Sequence, residues 1–207
     1  MTQYISAHER LRTLPELFRG CDLTVRHGFD SKTASQYLYL WKGRELVVPL
    51  GGHSDVYANL VLNRHPQWER AVLMAMPSAV LVGIEVLRRA GWTTQIPARP
   101  QVAVNARQRH YRVNPYEIDF RGARWFKQTA QGIVHHGHGV LPSLHPAWAL
   151  ADLLRGQEWG GMGLHPDDIE WDEVDEAAEK QWGMACKAYG MDAEPISEFI
   201  VYSRCSR

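Results

Sequence analysis

The sequence predicts an α+β protein in which an N-terminal winged helix-turn-helix precedes a mixed α/β C-terminal domain with an antiparallel-rich sheet. Two patterns predict this fold: three helical segments followed by a hairpin within the first 64 residues, and short apolar or alternating runs separated by Pro, Gly and Asn between residues 92 and 144. The composition indicates a folded chain, because 45% of the 207 residues are hydrophobic and 22% are charged. Disordered and fibrous classes are thereby excluded.

Three helices are predicted at the N-terminus. The first covers residues 6–14 and stops at Pro15, and the second covers residues 16–26 and is closed by His27-Gly28. The third begins after Asp30 or Ser31, either of which is a suitable N-cap, and ends at Gly43. Its apolar residues recur at helical spacing and predict one buried side, consisting of Ala34, Leu38 and Trp41 with Tyr37 beside them.

A hairpin is predicted after the third helix. Its strands are residues 45–50 and 55–61, and they are joined by Gly51-Gly52-His53-Ser54, a turn in which two glycines accept positive φ. Three helices followed by a hairpin is the element order of a winged helix-turn-helix. The polar segment 63–66 contains Pro66 and has the composition of a linker. We therefore predict a DNA-binding domain over residues 1–64 and a second domain over residues 66–207.

The second domain is predicted to combine helices with a sheet. Helices are expected over residues 67–75 and 77–89, and a further helix begins at His145-Pro146. The strands are expected over residues 101–105, 116–120, 132–136 and 140–144. An acidic helix over residues 172–189 carries an apolar stripe that must pack on another element: Val174, Ala178, Trp182, Ala185 and Tyr189.

Charge is distributed unevenly, although 23 basic and 23 acidic residues cancel over the whole chain. Residues 1–64 carry a net charge of +2, residues 65–155 carry +6 and residues 156–207 carry −8. A basic body with an acidic end is typical of nucleic-acid contact, and it is equally typical of two faces of one fold that attract each other.

A cytoplasmic location is expected. The sequence has neither a membrane-spanning apolar run nor a secretory signal pattern, and its three cysteines form no CxxC pair. We expect Cys21 to be a small core residue and Cys205 to be an exposed thiol.

The side of the third helix opposite the buried stripe carries side chains suited to a DNA major groove. Gln can pair with adenine and Lys with guanine, while Lys, Ser, Thr and Tyr can contact phosphates. With the basic residues after the helix and the tip of the hairpin, the predicted DNA-binding residues are Lys32, Thr33, Ser35, Gln36, Tyr39, Lys42, Arg44 and His53. The alternative is that these residues form only the solvated side of a helix.

A histidine cluster, His135-His136-Gly137-His138, suggests a metal site. A strand would send His135 and His136 to opposite faces, and no HExxH or CxxC motif accompanies them. We therefore expect a polar turn between strands and no metal. Because the sequence also lacks the GxSxG, Walker and GxGxxG motifs, we predict no enzyme activity and no cofactor.

A basic, aromatic-rich segment lies in the middle of the chain. It interleaves arginines with Tyr111, Tyr116 and Trp125, a mixture that can bind nucleic acid through phosphates and stacking but that also occurs on the solvent side of ordinary sheets. The arginines that we select as its functional surface are Arg107, Arg109, Arg121 and Arg124.

The order of these segments over about residues 10–155 resembles the AbiEi-type antitoxins of type IV toxin–antitoxin systems. A short winged helix is followed by the apolar segment MPSAVLVGIEVLRRAGW (76–92), a strand-rich basic middle and a P-x-x-A-L-x-D-L-L helix that begins at Pro146 and contains Asp152. Two departures stand out: His145 occupies the cap position where the family usually has Ser or Thr, and the DNA-facing helix is less basic than in many members.

The resemblance implies an antitoxin that is also a transcriptional autorepressor. Its winged helix would bind inverted repeats in promoter DNA, which usually requires two copies of the protein. Its C-terminal domain, with Arg107, Arg109, Arg121 and Arg124 as the antitoxin surface, would counter a co-encoded nucleotidyltransferase toxin, with or without a stable complex. Two alternatives from other classes are a metal-dependent enzyme that uses the His135–His138 cluster and a winged-helix adaptor that binds protein.

Overall fold

A computed structural model describes residues 5–51, 54–106, 113, 115–155 and 163–192 of the chain. The chain forms two compact units, the first comprising Met1–Pro77 with His110–Pro115 and the second comprising Ser78–Arg109 with Tyr116–Arg207. The described residues form eight α-helices and two β-sheets, so the protein is of the mixed α+β class.

The first unit contains four helices, which are α1 (Ala7–Arg12), α2 (Gly20–His27), α3 (Ser31–Gly43) and α4 (Trp68–Ala75). Local sequence signals fix where they begin and end. The Ser6 hydroxyl accepts from the Glu9 N–H while the Glu9 carboxylate accepts from the Ser6 N–H, which is a capping box. Gly28 ends α2 in the left-handed conformation, with φ of 66°.

A three-stranded antiparallel sheet completes this unit. Its strands are β1 (Leu17–Arg19), β2 (Val47–Pro49) and β3 (Val56–Asn59), and their spatial order is β1-β3-β2. The predicted second helix over residues 16–26 was therefore wrong at its start. Residues 17–19 form a strand because they pair with β3, with Leu17 opposite Ala58.

The core of the first unit joins α1, α2 and α3 to the sheet. The predicted stripe of α3 is confirmed, since Ala34, Leu38 and Trp41 are all buried. The other buried members of this cluster are Leu11, Leu14, Phe18, Leu23 and Val47. Asn59 is also buried, and its side-chain amide donates to the Leu11 carbonyl at 2.7 Å, which satisfies a polar group inside the core.

The first compact unit extends beyond the linker that the sequence suggests. Helix α4 contacts β3 and buries Ala71 and Val72, and the Arg19 guanidinium donates to the Met74 carbonyl. Residues 66–77 therefore belong to the first unit. The compact units divide between Pro77 and Ser78.

The second unit is built on a five-stranded mixed sheet. Its strands are β4 (Val80–Val82), β5 (Gln101–Val104), β6 (Glu117–Phe120), β7 (Ile133–Val134) and β8 (Ser143–Leu144). The order is β6-β5-β4-β8-β7. The pairs β4–β5 and β7–β8 are antiparallel, whereas β5–β6 and β4–β8 are parallel, so this sheet is mixed rather than antiparallel-rich.

Four helices accompany this sheet: α5 (Ile84–Arg89), α6 (Ala123–Thr129), α7 (Pro146–Leu154) and α8 (Glu176–Tyr189). The predicted helix over residues 77–89 was wrong in its first half. The segment Val80–Val82 is a buried strand in the centre of the sheet, and Gly83, at φ of 74°, separates it from α5. Helix α6 lies where the sequence suggested only strands.

Helices α7 and α8 pack against each other. The acidic helix predicted over residues 172–189 was wrong at its start, because α8 begins at Glu176 and residues Trp171–Glu173 form a separate 3₁₀ turn. The predicted apolar residues are all buried, Val174 before the helix and Ala178, Trp182, Ala185 and Tyr189 on it. Asp175 caps α8 by accepting from the Ala178 N–H at 2.7 Å. In the described part of the chain, every helix is too short or too polar to cross a membrane.

Candidate functional site

The predicted DNA-binding residues of α3 lie on one accessible side of that helix. Lys32, Ser35, Gln36, Tyr39 and Lys42 are exposed, and 79% of the Tyr39 surface is accessible. Thr33 is half-buried, and Arg44 is exposed directly after the helix. His53 lies outside the described residues.

Helix α3 is held firmly from its other side. The Asp30 carboxylate accepts from the Thr33 N–H at 2.7 Å, and this hydrogen bond holds the pKa of Asp30 below its ordinary value. Phe29 stacks on Tyr37 with ring centroids 4.7 Å apart, and the Arg10 guanidinium lies 5.1 Å from the Phe29 ring centroid. The exposed side chains of α3 therefore project from a rigid support.

A groove of about 450 Å³ lies between α3 and the hairpin β2–β3. Ser35, Tyr39 and Lys42 line it from the helix, and Gly51 and Ser54 line it from the hairpin. Three of the predicted helix residues and two residues that flank the predicted hairpin tip thus line one groove of the first unit.

Three further residues in this groove were missed by sequence reasoning: Gly20, Asp55 and Tyr57. Gly20 permits a close approach, since a Cβ atom there would lie 2.4 Å from Asp55 Oδ1. Burial, together with the neighbouring Asp55 carboxylate, raises the pKa of Tyr57. In the sequence, this acidic group was indicated only by the position of Asp55 next to the predicted hairpin tip.

The four arginines of the predicted antitoxin surface differ in their surroundings. Arg107 and Arg109 lie outside the described residues, and Arg124 is exposed on α6. Arg121 is engaged by two carboxylates: its Nε lies 2.7 Å from Asp119 Oδ2 and its Nη2 lies 3.2 Å from Asp152 Oδ2. Arg121 therefore cross-links these two carboxylates while its side chain is 32% exposed, and its place in the antitoxin surface stays a prediction.

Asp152 is the centre of a polar network inside the second unit. Its side chain is only 5% exposed, and its Oδ1 accepts from the Trp125 indole N–H at 2.7 Å. The Arg121 guanidinium lies 5.5 Å from the Trp125 ring centroid. Burial and the neighbouring Asp152 carboxylate together raise the pKa of Tyr189. This network ties α6 and α7 to the strand β6.

The histidines separate into different environments. His135, His136 and His138 are all exposed, and His136 differs from the other two in that its Nε2 lies 2.7 Å from the Ser143 hydroxyl. Because β7 ends at Val134, His135 and His136 follow the strand and do not alternate across it as the sequence suggested. No group of three His, Cys, Asp or Glu side chains suited to a metal ion occurs among the residues that the structure describes.

The cysteines differ from expectation at one described position. Cys21 is exposed on α2 and is not a core residue, because the buried side of that helix is formed by Gly20 and Leu23. Cys186 is buried on α8, and burial raises its pKa to about 11. Cys205 lies outside the described residues.

The chain was compared with protein-family models and with curated protein sequences. No protein-family model matches the chain, and no curated protein has a significantly similar sequence.

Proposed function

We propose that the first unit is a winged helix-turn-helix that binds duplex DNA, with α3 as its recognition helix. The element order α1-β1-α2-α3-β2-β3, with β3 between β1 and β2, supports this proposal. A winged helix uses such a sheet to hold the hairpin beside the recognition helix. The single observation that carries the proposal is the groove in which polar residues of α3 and residues of the hairpin meet.

The exposed side of α3 has the chemistry for both kinds of DNA contact. Gln36 can bind an adenine edge in the major groove, whereas Lys32 and Lys42 can neutralise phosphates on either side. Tyr39, which is almost fully accessible, supplies a ring and a hydroxyl between them. The hairpin that ends in Gly51 and Ser54 would follow the DNA backbone as the wing.

Asp55 gives the groove a means of selecting among DNA sequences. A carboxylate next to phosphates opposes non-specific binding, and its favourable partner on DNA is the N4 amino group of cytosine. We expect Asp55→Asn to tighten binding to unrelated duplexes and to reduce the preference for the native site.

At the level of the whole chain, we propose an antitoxin that represses its own operon and counters a nucleotidyltransferase toxin. The resemblance to AbiEi-type antitoxins supports this role, together with a DNA-binding first unit joined to a separate second unit. Among the described arginines of the second unit that the sequence singled out, Arg124 is the accessible one, so it is our first candidate for the neutralising surface.

The DNA-binding proposal is tested with the region upstream of the gene and an unrelated duplex of equal length. Gln36→Ala should weaken the upstream complex by about 1–3 kcal/mol and leave the unrelated duplex unaffected, because only a base contact is lost. Lys32→Ala and Lys42→Ala should weaken both complexes and lower the slope of log K against log salt by about one unit each. The matched control is Lys187→Ala, which removes an exposed lysine from α8 of the second unit.

Fluorescence anisotropy over a range of salt concentrations measures all these complexes. If Gln36→Ala, Lys32→Ala and Lys42→Ala all bind as the unmodified protein does, α3 is not the recognition helix.

The two proposed activities are separated in the full-length chain. Lys32→Ala combined with Gln36→Ala should abolish promoter repression and leave protection from the co-encoded toxin intact, whereas Arg124→Glu should do the reverse. A promoter fusion and a growth assay with the induced toxin give the two readouts. Loss of protection in the α3 variant, with the protein still folded, would contradict the division of labour.

A further inference from the structure

Helix α3 exposes an apolar side chain that the proposed DNA contacts do not use. Leu40 is 51% exposed, whereas Leu38, two residues earlier, is 8% exposed and belongs to the core. In the described helices, the other large apolar side chains that are exposed are Val25 on α2 and Tyr39, which precedes Leu40. A single exposed leucine is common on protein surfaces, so its position on the helix decides whether it has a role.

Leu40 lies on the same side of α3 as Gln36. Four residues separate the two, which places them about 40° apart around the helix axis and about 6 Å apart along it. Side chains at this spacing are neighbours on a helix surface, and both of these are exposed. The residue that the proposed function assigns to an adenine edge therefore has an accessible apolar side chain beside it.

The surface around this pair is open to a polyanion. Gly43 follows Leu40 by three residues, and a Cβ atom added there would lie in open space. Helix α3 carries Lys32 and Lys42 and has no acidic residue. DNA can therefore approach Leu40 without repulsion from α3 itself, and the lysines supply the complementary charge for its phosphates.

The major groove of DNA offers one apolar group to such a side chain. Thymine carries a C5-methyl group there, and contact with an apolar residue distinguishes it from the other bases. Successive base pairs are stacked about 3.4 Å apart, so the rise of about 6 Å from Gln36 to Leu40 covers one or two base-pair steps along the groove. An amide followed by an apolar side chain suits an adenine followed by a thymine methyl.

We propose that Leu40 contacts the C5-methyl group of a thymine that lies about one or two base pairs from the adenine bound by Gln36. This inference rests on the proposed DNA binding by α3, and it names a base that the protein selects. The contact would remove both the methyl group and the exposed part of Leu40 from water. A leucine that is merely solvated, or that binds another protein, would make DNA affinity independent of this methyl group.

The test uses the full-length chain and the shortest upstream duplex that it binds. Each thymine is replaced in turn by deoxyuridine, which keeps the pairing edge of the base and lacks only the methyl group. At the thymine that Leu40 contacts, the replacement should weaken binding about fourfold, which corresponds to the loss of about one buried CH₂ group. Fluorescence anisotropy at constant salt measures the dissociation constants.

A variant shows whether Leu40 is the residue that senses the methyl group. Leu40→Ala should weaken the thymine duplex about fourfold or more and should bind the thymine and deoxyuridine duplexes equally. Because Leu40 is half-exposed and outside the core cluster, the thermal unfolding midpoint should be unchanged. The matched control Ile96→Ala removes an apolar side chain of the second unit that is 82% exposed, and it should keep the full preference for thymine.

A second scan locates the adenine that Gln36 binds. Replacement of each adenine by 7-deazaadenine removes the N7 acceptor of its major-groove edge. One position should weaken the complex of the unmodified protein, and Gln36→Ala should be insensitive to the replacement there. This adenine should lie within about two base pairs of the thymine found in the first scan.

Three results would overturn the inference while DNA binding itself still holds. The first is equal affinity for the thymine and deoxyuridine duplexes at every position, and the second is a Leu40→Ala variant that keeps the full sensitivity to the methyl group. The third is a separation of the two positions by more than about two base pairs. Failure of the unmodified protein to bind any duplex would instead contradict the proposed function of the first unit, and the inference with it.

Discussion

Asp119 and Asp152 both contact the Arg121 guanidinium, but they differ in how far they are exposed to solvent. This pair allows a test of how the second unit is stabilised. Asp119 is 36% exposed, whereas Asp152 is 5% exposed. Arg121 is 32% exposed and keeps one aspartate when the other is removed, so the loss of either ion pair alone costs about 0–1 kcal/mol. Asp152→Ala also leaves the Trp125 indole N–H, which donates to Asp152 Oδ1 at 2.7 Å, without its acceptor, and an unsatisfied buried donor costs about 1–3 kcal/mol. We therefore expect Asp119→Ala to destabilise the second unit by at most about 1 kcal/mol and Asp152→Ala by about 1–3 kcal/mol more than that.

A third variant separates the loss of the charge from the loss of the acceptor. Asp152→Asn keeps an oxygen acceptor but loses the charge opposite Arg121, so its effect should lie between those of the two alanine variants.

Urea unfolding, monitored by tryptophan fluorescence, measures the free energy of unfolding. Hydrogen exchange of the α7 amides assigns the transition to the second unit. Losses for Asp152→Ala and Asp119→Ala that agree within about 0.5 kcal/mol would refute the reasoning, because burial would then not distinguish the two carboxylates. The outcome also affects the functional assays. Arg121 variants disturb this ion-pair network as well as the surface, whereas Arg124 variants report on the surface itself.

Three other predictions concern packing, pH and thiol reactivity. Gly132→Ala should lower the free energy of unfolding by about 1–3 kcal/mol or more, because its Cβ would lie 2.2 Å from a buried tryptophan ring. Gly43→Ala, which meets no atom within 4 Å at the end of α3, should raise it by about 0.4–1 kcal/mol in the same urea titration. Burial lowers the pKa of His145 from its ordinary value of 6.5, so the unfolded chain takes up the proton first. Stability should therefore be full above about pH 6.5 and fall as the pH decreases below it, and His145→Asn, which keeps a capping side chain, should flatten this dependence in denaturation midpoints. Iodoacetamide at neutral pH should modify the exposed Cys21 in the folded protein and should modify Cys186 only after unfolding, as measured by peptide mass spectrometry.

Local sequence signals by themselves determined the helices that matter most for the candidate DNA interface. The spacing of Ala34, Leu38 and Trp41 predicted which side of α3 is buried, and Asp30 predicted where the helix begins. The exposed position of Gln36 follows from the same spacing. These features are encoded by residues three or four positions apart, so they can be read without knowledge of the fold. DNA binding by this surface and the toxin–antitoxin role remain predictions.

Only the tertiary structure decided the strands and the charge pairs. Residues 17–19 continue into α2 without a break in helical pattern, yet they form β1 because β3 offers a free edge about forty residues later along the chain. Arg121 was indistinguishable in the sequence from its neighbour Arg124, and only the approach of the buried Asp152 from α7 made it a cross-link. A cleft of the second unit that is lined by Val86, Val134 and His145 is likewise assembled from separate segments of the chain. Such features depend on contacts between residues far apart in the chain, which local spacing does not specify.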